Sequence, residues 1–149
     1  MRLGEYLHRE LVLPDLQATT KAAVLSEMTA ALAAFDPTVD ADTALGVLLE
    51  REGLGTTGIG DGVAIPHGKM AQLDHILVCV GRSIGGVDFA ALDYKPCTIF
   101  FLVLAPEQVT GMHLRILAHI SRLLKDESFR RDFEEAVSRD ALYEILQAV

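Results

Sequence analysis

Apolar residues in the first third of the chain recur at three- and four-residue steps, which is the spacing of one helix face. Between residues 20 and 35 that face consists of Leu25, Met28, Leu32 and Phe35. Thr19 or Thr20 can cap the start of this predicted helix, and the dipeptide Asp36-Pro37 ends it. The pattern therefore predicts an amphipathic helix close to the start of the chain.

A second helix is predicted for residues 40–52, where leucines again recur at helical spacing. Its inward face is expected to hold Leu45, Leu48 and Leu49. Asp40 or Asp42 can act as its N-cap. A glycine-rich segment, residues 55–69, follows, and we expect the chain to form a loop there.

Two later segments are apolar at both alternating positions, which predicts strands that are buried on both faces of a sheet. They are residues 75–81, HILVCVG, and residues 97–104, CTIFFLVL. Residues 83–96 between them contain turn residues and show partial alternation. This intervening segment is therefore expected to form hairpin or edge structure.

The last third of the chain is predicted to be helical. One face of a helix beginning near Gly111 is expected to carry Leu114, Leu117, Ile120 and Leu124. Asp126 and Ser128 start a further piece, and Ser138 caps a last helix. Because helices precede, separate and follow the buried strands, the sequence predicts an α/β fold. We expect one domain, residues 1–149, with a central mixed β-sheet flanked by helices on both faces.

Composition narrows the choice of partners and compartment. The 149-residue chain carries a net charge of −8, which disfavours nucleic acid and anionic membranes as partners. No apolar run is long enough to cross a membrane, and no signal peptide is evident. Cys79 and Cys97 lie in apolar stretches, so we expect buried thiols rather than a disulfide or a redox pair. These features predict a cytoplasmic protein.

The glycine-rich segment, GTTGIGDGVAIPHGK, holds five of the 12 glycines and does not fit three familiar sites. A P-loop needs Ser or Thr after Gly-Lys, but Met70 follows Lys69. A dinucleotide fingerprint needs a third glycine where Val63 stands and a helix afterwards. Metal ligands at recognisable spacing are missing, because His67 and His75 lie eight residues apart. No metal or cofactor is therefore predicted.

The segment instead presents a single histidine, His67, behind a stiff proline. Successive glycines can turn backbone N–H groups toward an anion. Thr56, Thr57, Arg51 and Lys69 add hydroxyl donors and positive charge. A neutral imidazole in such surroundings can take up a phosphoryl group as a nucleophile. The alternative is a histidine that serves only as a turn residue with a backbone hydrogen bond.

The longer string LLEREGLGTTGIGDGVAIPHGK closely resembles the active-site signature of the enzyme IIA domains of the phosphotransferase system. These domains form the fructose/mannitol class of enzyme IIA, and this class includes the nitrogen-regulatory IIA proteins. The opening MRLGEYL and the later segments FAALDYKP, LVLAPE and HLRILAHISRLL are similar to the family as well.

This resemblance implies a phosphotransferase component, a phosphocarrier with a mixed sheet flanked by helices. His67 matches the histidine that carries the phosphoryl group, and Arg51 matches an arginine that approaches the phosphate. His113 matches a second active-site histidine. The residues that match the phosphate-binding loop are Thr57, Gly58, Gly60 and Gly62. No metal or nucleotide is implied.

The implied donor is a small phosphocarrier protein of the HPr type. A nitrogen-regulatory role, in which free and phosphorylated forms bind different target proteins, is preferred. One alternative is a sugar-specific IIA that passes the group to a IIB domain. Another is a IIA-like binding module without phosphotransfer. Three further histidines are expected to be structural or exposed: His8, His75 and His119.

Overall fold

A computed structural model describes residues 2–108 and 111–149 of the chain as five α-helices and six strands, preceded by two 3-10 turns. The turns are Leu3–Tyr6 and Arg9–Leu11. The helices are α1 Lys21–Phe35, α2 Ala41–Gly53, α3 Met112–Leu123, α4 Glu127–Glu135 and α5 Arg139–Gln147. The strands are β1 Val12–Leu13, β2 Gly58–Gly60, β3 Val63–Ala64, β4 His67–Met70, β5 Leu77–Val87 and β6 Cys97–Pro106.

Strand β6 organises a mixed sheet. It pairs antiparallel with β5 along one edge, and β5 in turn pairs parallel with β1. Along its other edge it pairs parallel first with β3 and then with β4. The residue between these two short strands, Pro66, lacks an N–H but still accepts from Val103 N at 2.9 Å. One sheet edge thus runs from the glycine segment to His67.

Helices cover both faces of this sheet, as predicted. Along β6, Phe100, Leu102 and Leu104 face the core that α1 and α2 close. The alternate residues face a second core closed by α3, α4 and α5, and they include Phe101 and Val103. The predicted burial of both strand faces is confirmed, and so is the α/β class.

Side-chain caps identify where four of the helices begin. Thr20 accepts from Ala23 N, Asp40 from Thr43 N, and Ser138 from Ala141 N. Asp126 caps α4 by accepting from Ser128 N at 2.9 Å, so both residues lie at the start of this helix as predicted. Short polar side chains satisfy the open N–H groups of a first turn, so these bonds decide between the predicted alternatives.

The prediction that Leu49 and Leu114 face the core is wrong. Leu49 and Leu114 are 38% and 60% exposed, because neither lies on the stripe that faces the core. In α2 the stripe runs at four-residue steps through Ala44 and Leu48. In α3 it passes through Ile116, and Leu114 lies two residues earlier, about 200° away around the helix.

The hairpin expected for residues 83–96 is partly a continuation of β5. That strand runs on to Val87, which is paired with Cys97 across an irregularity in register. The irregularity accommodates Gly86 at φ 86°. The turn is therefore shorter than predicted, and β5 and β6 form one long antiparallel pair.

Candidate functional site

His67 is the first residue of β4, and its ring is half-buried at the sheet edge. Its Nδ1 lies 2.9 Å from the carbonyl oxygen of Ile65. A carbonyl oxygen only accepts, so Nδ1 carries the proton and Nε2 keeps its lone pair. In its neutral form the ring is therefore held in the tautomer that has the lone pair on Nε2.

The segment predicted as a loop is largely strand, and this is how His67 is held. Residues 58–70 contain β2, β3 and β4, and His67 is registered opposite Val103 of β6. Just before it, Ile65 N donates to the Thr57 carbonyl at 3.0 Å. The main chain on either side of the ring is thus fixed by the sheet.

Gly68 brings helix α2 close to the histidine. A Cβ on Gly68 would lie 2.5 Å from Val47 Cγ1, so only glycine lets the helix pack this tightly on β4. Arg51 follows Val47 by four residues and occupies the same helix face one turn on. The space beside Gly68 is filled by Val47, and this packing carries Arg51 to the site.

Arg51 shares two cavities with His67. Both residues line an opening of about 420 Å³, together with Lys69 and His113. Both also line a smaller adjoining space of about 180 Å³, together with Thr57. Nη1 of Arg51 donates to the carbonyl oxygen of Gly55 at 2.8 Å, and this bond orients the guanidinium. The structure therefore places a permanent cation on the walls of the same two cavities as the His67 ring.

His113 reaches the same opening from the other side of the sheet edge. It is the second residue of α3, whose start at Gly111 has φ 86°. The first turn of a helix carries open N–H groups and partial positive charge, which favours an anion. The two histidines, 46 residues apart in sequence, line one cavity as the resemblance implies.

Glu52, the neighbour of Arg51, is buried beneath the site. Its carboxylate accepts from Thr57 N at 3.0 Å and from the Thr57 hydroxyl. It also forms an ion pair with Lys21 at 2.9 Å, and the Lys21 ammonium lies 4.7 Å from the Phe89 ring centroid. The buried carboxylate thereby ties the 55–57 segment to α1 and α2.

This arrangement gives Thr57 a role different from the predicted one. Its side chain is 4% exposed, and its hydroxyl proton is donated to Glu52. A hydroxyl has a single proton, so Thr57 cannot donate to a phosphate at the same time. Thr57 borders the smaller space, but its hydroxyl proton is held by Glu52, and Thr57 supports the site from below.

The three glycines predicted to bind phosphate lie in the β2–β3 hairpin, away from the opening. Gly58 packs on Ala91, Gly60 faces Asp93, and Gly62 faces Thr98. Gly60 and Gly62 have φ of 103° and 79°, which the tight turn requires. Neither of the two cavities at His67 is lined by any of these glycines.

The two cysteines and the histidines His8 and His75 lie outside both cavities at His67. Within residues 2–108 and 111–149, no three His, Cys, Asp or Glu side chains group as metal ligands do. Cys79 and Cys97 are buried free thiols, and burial raises the pKa of Cys97 to about 11. His8 stacks on Phe35 at 4.5 Å, and His75 lies 3.4 Å from Asp36. No helix in the described ranges is long and apolar enough to span a membrane.

Comparison with known proteins agrees with this geometry. The family model described as "Phosphoenolpyruvate-dependent sugar phosphotransferase system, EIIA 2" matches residues 5–149. The chain belongs to this EIIA family. A nitrogen regulatory protein from Bradyrhizobium diazoefficiens is 38% identical over 146 residues, covering 98% of this chain and 95% of that protein. A fructose-specific EIIA component from Haloferax volcanii is 42% identical over 110 residues, covering 74% and 71%.

A solved EIIA structure is similar throughout. The crystal structure of nitrogen regulatory protein IIA-Ntr from Neisseria meningitidis has a TM-score of 0.88 and 30% identity. The match covers 97% of this chain and 98% of that one. The mixed sheet and helices are thus the EIIA fold.

Sequence reasoning missed Glu52, although the helical period contained the signal of its burial. Ala44, Leu48 and Glu52 are spaced four residues apart and form the buried stripe of α2. A carboxylate on a buried stripe needs partners, and here Thr57 and Lys21 supply them.

Proposed function

We propose that this EIIA is a phosphohistidine carrier that accepts a phosphoryl group on Nε2 of His67 from an HPr-type phosphocarrier. The observation that carries the proposal is the Nδ1 bond to the Ile65 carbonyl. It leaves Nε2 with its lone pair, and His67 lines an opening that Arg51 also lines. A nucleophile beside a fixed cation is what phosphoryl transfer needs, because the protein mainly positions groups and stabilises charge.

The proposed step is an in-line exchange between two histidines. The Nε2 lone pair of His67 forms the new N–P bond as the N–P bond to the donor's histidine breaks. The bonding pair returns to the donor's ring, and the proton stays on His67 Nδ1, which continues to donate to the Ile65 carbonyl oxygen. The guanidinium of Arg51 and the start of α3 at His113 stabilise the equatorial oxygens. Both N–P bonds are similar, so transfer is reversible.

Exposed apolar residues support a protein as the donor. Leu54, which lines the opening, is 84% exposed, and Leu114, next to His113, is 60% exposed. Ile59, beside the smaller space at His67, is 48% exposed. Large apolar side chains gathered around an active site are typical of a surface on which another protein docks. In this proposal the exchange takes place in the cytoplasm, where the chain's two free thiols stay reduced.

We further propose a nitrogen-regulatory role, in which the free and phosphorylated forms bind different target proteins. The 38% identity to a nitrogen regulatory protein extends over almost the whole of both chains, and this supports the regulatory branch. The second candidate is a sugar-specific EIIA that passes the group to a IIB domain. The similarity to a fructose-specific EIIA component favours that candidate.

The testing experiment is phosphorylation followed by NMR. Incubation with a phosphorylated HPr-type donor is expected to give an acid-labile, base-stable adduct. Imidazole ¹⁵N and ³¹P spectra are expected to place the phosphorus on Nε2 of His67. Phosphorus on Nδ1 would show that the tautomer argument is wrong. Passage of the label to a IIB domain would favour the sugar-specific role. A target protein that binds only one of the two phosphorylation states would favour the regulatory role.

Replacing Arg51 is expected to slow uptake without unfolding the chain. Arg51→Ala removes the cation beside His67, and we expect a loss of about tenfold to a hundredfold in the rate of phosphoryl uptake. Arg51→Lys keeps the charge but loses the fixed orientation, so its rate should be intermediate. Arg131→Ala, an exposed change on α4, is the matched control. Equal rates for Arg51→Ala and this control would exclude a role for the guanidinium.

A further inference from the structure

A separate cavity of about 550 Å³ lies on the far side of α3 from His67. It is bounded by Arg115, His119 and Arg122 of α3 and by Glu5 and Tyr6 of the first 3-10 turn. The three α3 residues follow one another at steps of four and three, so they share a helix face. His113 and Leu117 occupy a different face, toward the proposed phosphoryl site. The cavity is therefore distinct from that site.

The arginines of this cavity carry uncompensated charge. Within the described residues, the recorded ion pairs and side-chain hydrogen bonds include none from Arg115 or Arg122. The lining includes one carboxylate on the described turn, that of Glu5, against two guanidinium groups. In a chain of net charge −8, such a local excess of positive charge is conspicuous.

His119 adds a polar group that lacks a partner. Its Nε2 is buried and has no hydrogen-bond partner in the structure as described. Burial lowers the pKa of His119, and Arg122 lowers it further. Buried polar atoms are normally bonded, so an unbonded ring nitrogen next to two arginines indicates that a ligand group completes the site.

We propose that this cavity binds a small anion that carries phosphate or carboxylate groups. Guanidinium groups recognise both kinds of anion through paired N–H donors. The volume lies in the range of small-molecule sites, about 300–1,000 Å³. A docked protein would instead need about 800 Å² of surface on each partner. The ligand lies behind the helix that presents His113, which makes α3 the element that both sites share.

The test is an NMR titration of the full chain at constant ionic strength, with inorganic phosphate and succinate as separate probes. The side-chain resonances of His119 and His67 are followed independently, so binding at the phosphoryl site is distinguished from binding here. At least one probe is expected to shift the His119 resonances saturably. It is also expected to raise the pKa of His119, because a bound anion in the cavity lined by Glu5, Tyr6, Arg115 and Arg122 offsets the charge of the arginines. Arg115→Gln and Arg122→Gln are each expected to weaken this binding about tenfold.

Arg131→Gln, which makes the same charge change on the exposed face of α4, is the control and should bind as the wild type does. Preference for phosphate over succinate, or the reverse, identifies the ligand chemistry. The proposal is overturned if both probes act no differently from chloride. It is also overturned if the double variant Arg115→Gln/Arg122→Gln binds normally, or if only an acidic peptide binds. None of these results bears on phosphorylation of His67.

Discussion

Replacing His67 by alanine is expected to abolish phosphoryl uptake. The substitution removes the Nε2 lone pair that we propose forms the N–P bond. Labelling from a phosphorylated HPr-type donor should therefore fall to background, a loss of about a thousandfold or more. The measurement is the initial rate of ³²P incorporation at matched protein concentrations.

The fold should survive this substitution. His67 is half-buried, and its ring makes one recorded hydrogen bond, to Ile65, so the stability cost is about 1 kcal/mol. His8→Ala, an exposed histidine that stacks on Phe35, is the matched control and should label at the wild-type rate. Equal labelling of wild type and His67→Ala would refute the assignment. If His113→Ala loses the label and His67→Ala keeps it, the acceptor is His113. A wild-type chain that accepts no label from any such donor would favour a binding module.

The buried strands and most of the helices could be predicted because their signal is local. Residues 97–104 are largely apolar at both sets of alternating positions, and β6 is buried on both faces of the sheet. The period of α1 was sufficient to predict that Leu25, Met28 and Leu32 are buried. Leu114 was misassigned because its three-residue spacing to Leu117 fits a helix face, whereas the core-facing stripe of α3 passes through Ile116 and Ile120. Helical spacing alone does not show which of two overlapping stripes faces the core.

The site was harder to predict, since its geometry depends on contacts between elements. The sequence indicated His67 and Arg51, but the reason they meet is the close approach of Val47 to Gly68. That approach joins residues 21 positions apart, and no local period records it. The glycines Gly58, Gly60 and Gly62 were assigned to phosphate because glycine-rich segments serve anion nests and tight turns equally well. Only the structure shows the turn.

Removing the buried carboxylate of Glu52 is expected to have the largest effect on stability. Glu52→Ala leaves the Lys21 ammonium without its ion pair and the Thr57 N–H and hydroxyl without an acceptor. Breaking a buried pair from one side typically costs about 3–5 kcal/mol, and the partial exposure of Lys21 reduces this to about 3 kcal/mol. The measurement is the free energy of unfolding from urea denaturation.

Three further variants separate positioning from simple loss of stability. Glu144→Ala, an exposed change on α5, is the control and should alter the free energy of unfolding by less than about 0.5 kcal/mol. Glu52→Gln keeps an acceptor for Thr57 N and should recover part of the loss, and Lys21→Met/Glu52→Gln should recover more, because no unpaired charge remains. At temperatures where all variants are folded, Glu52→Ala should still take up phosphoryl groups more slowly than Glu52→Gln, because the 55–57 segment that orients Arg51 is released. If the two take up label equally fast, Glu52 stabilises the fold without positioning the site.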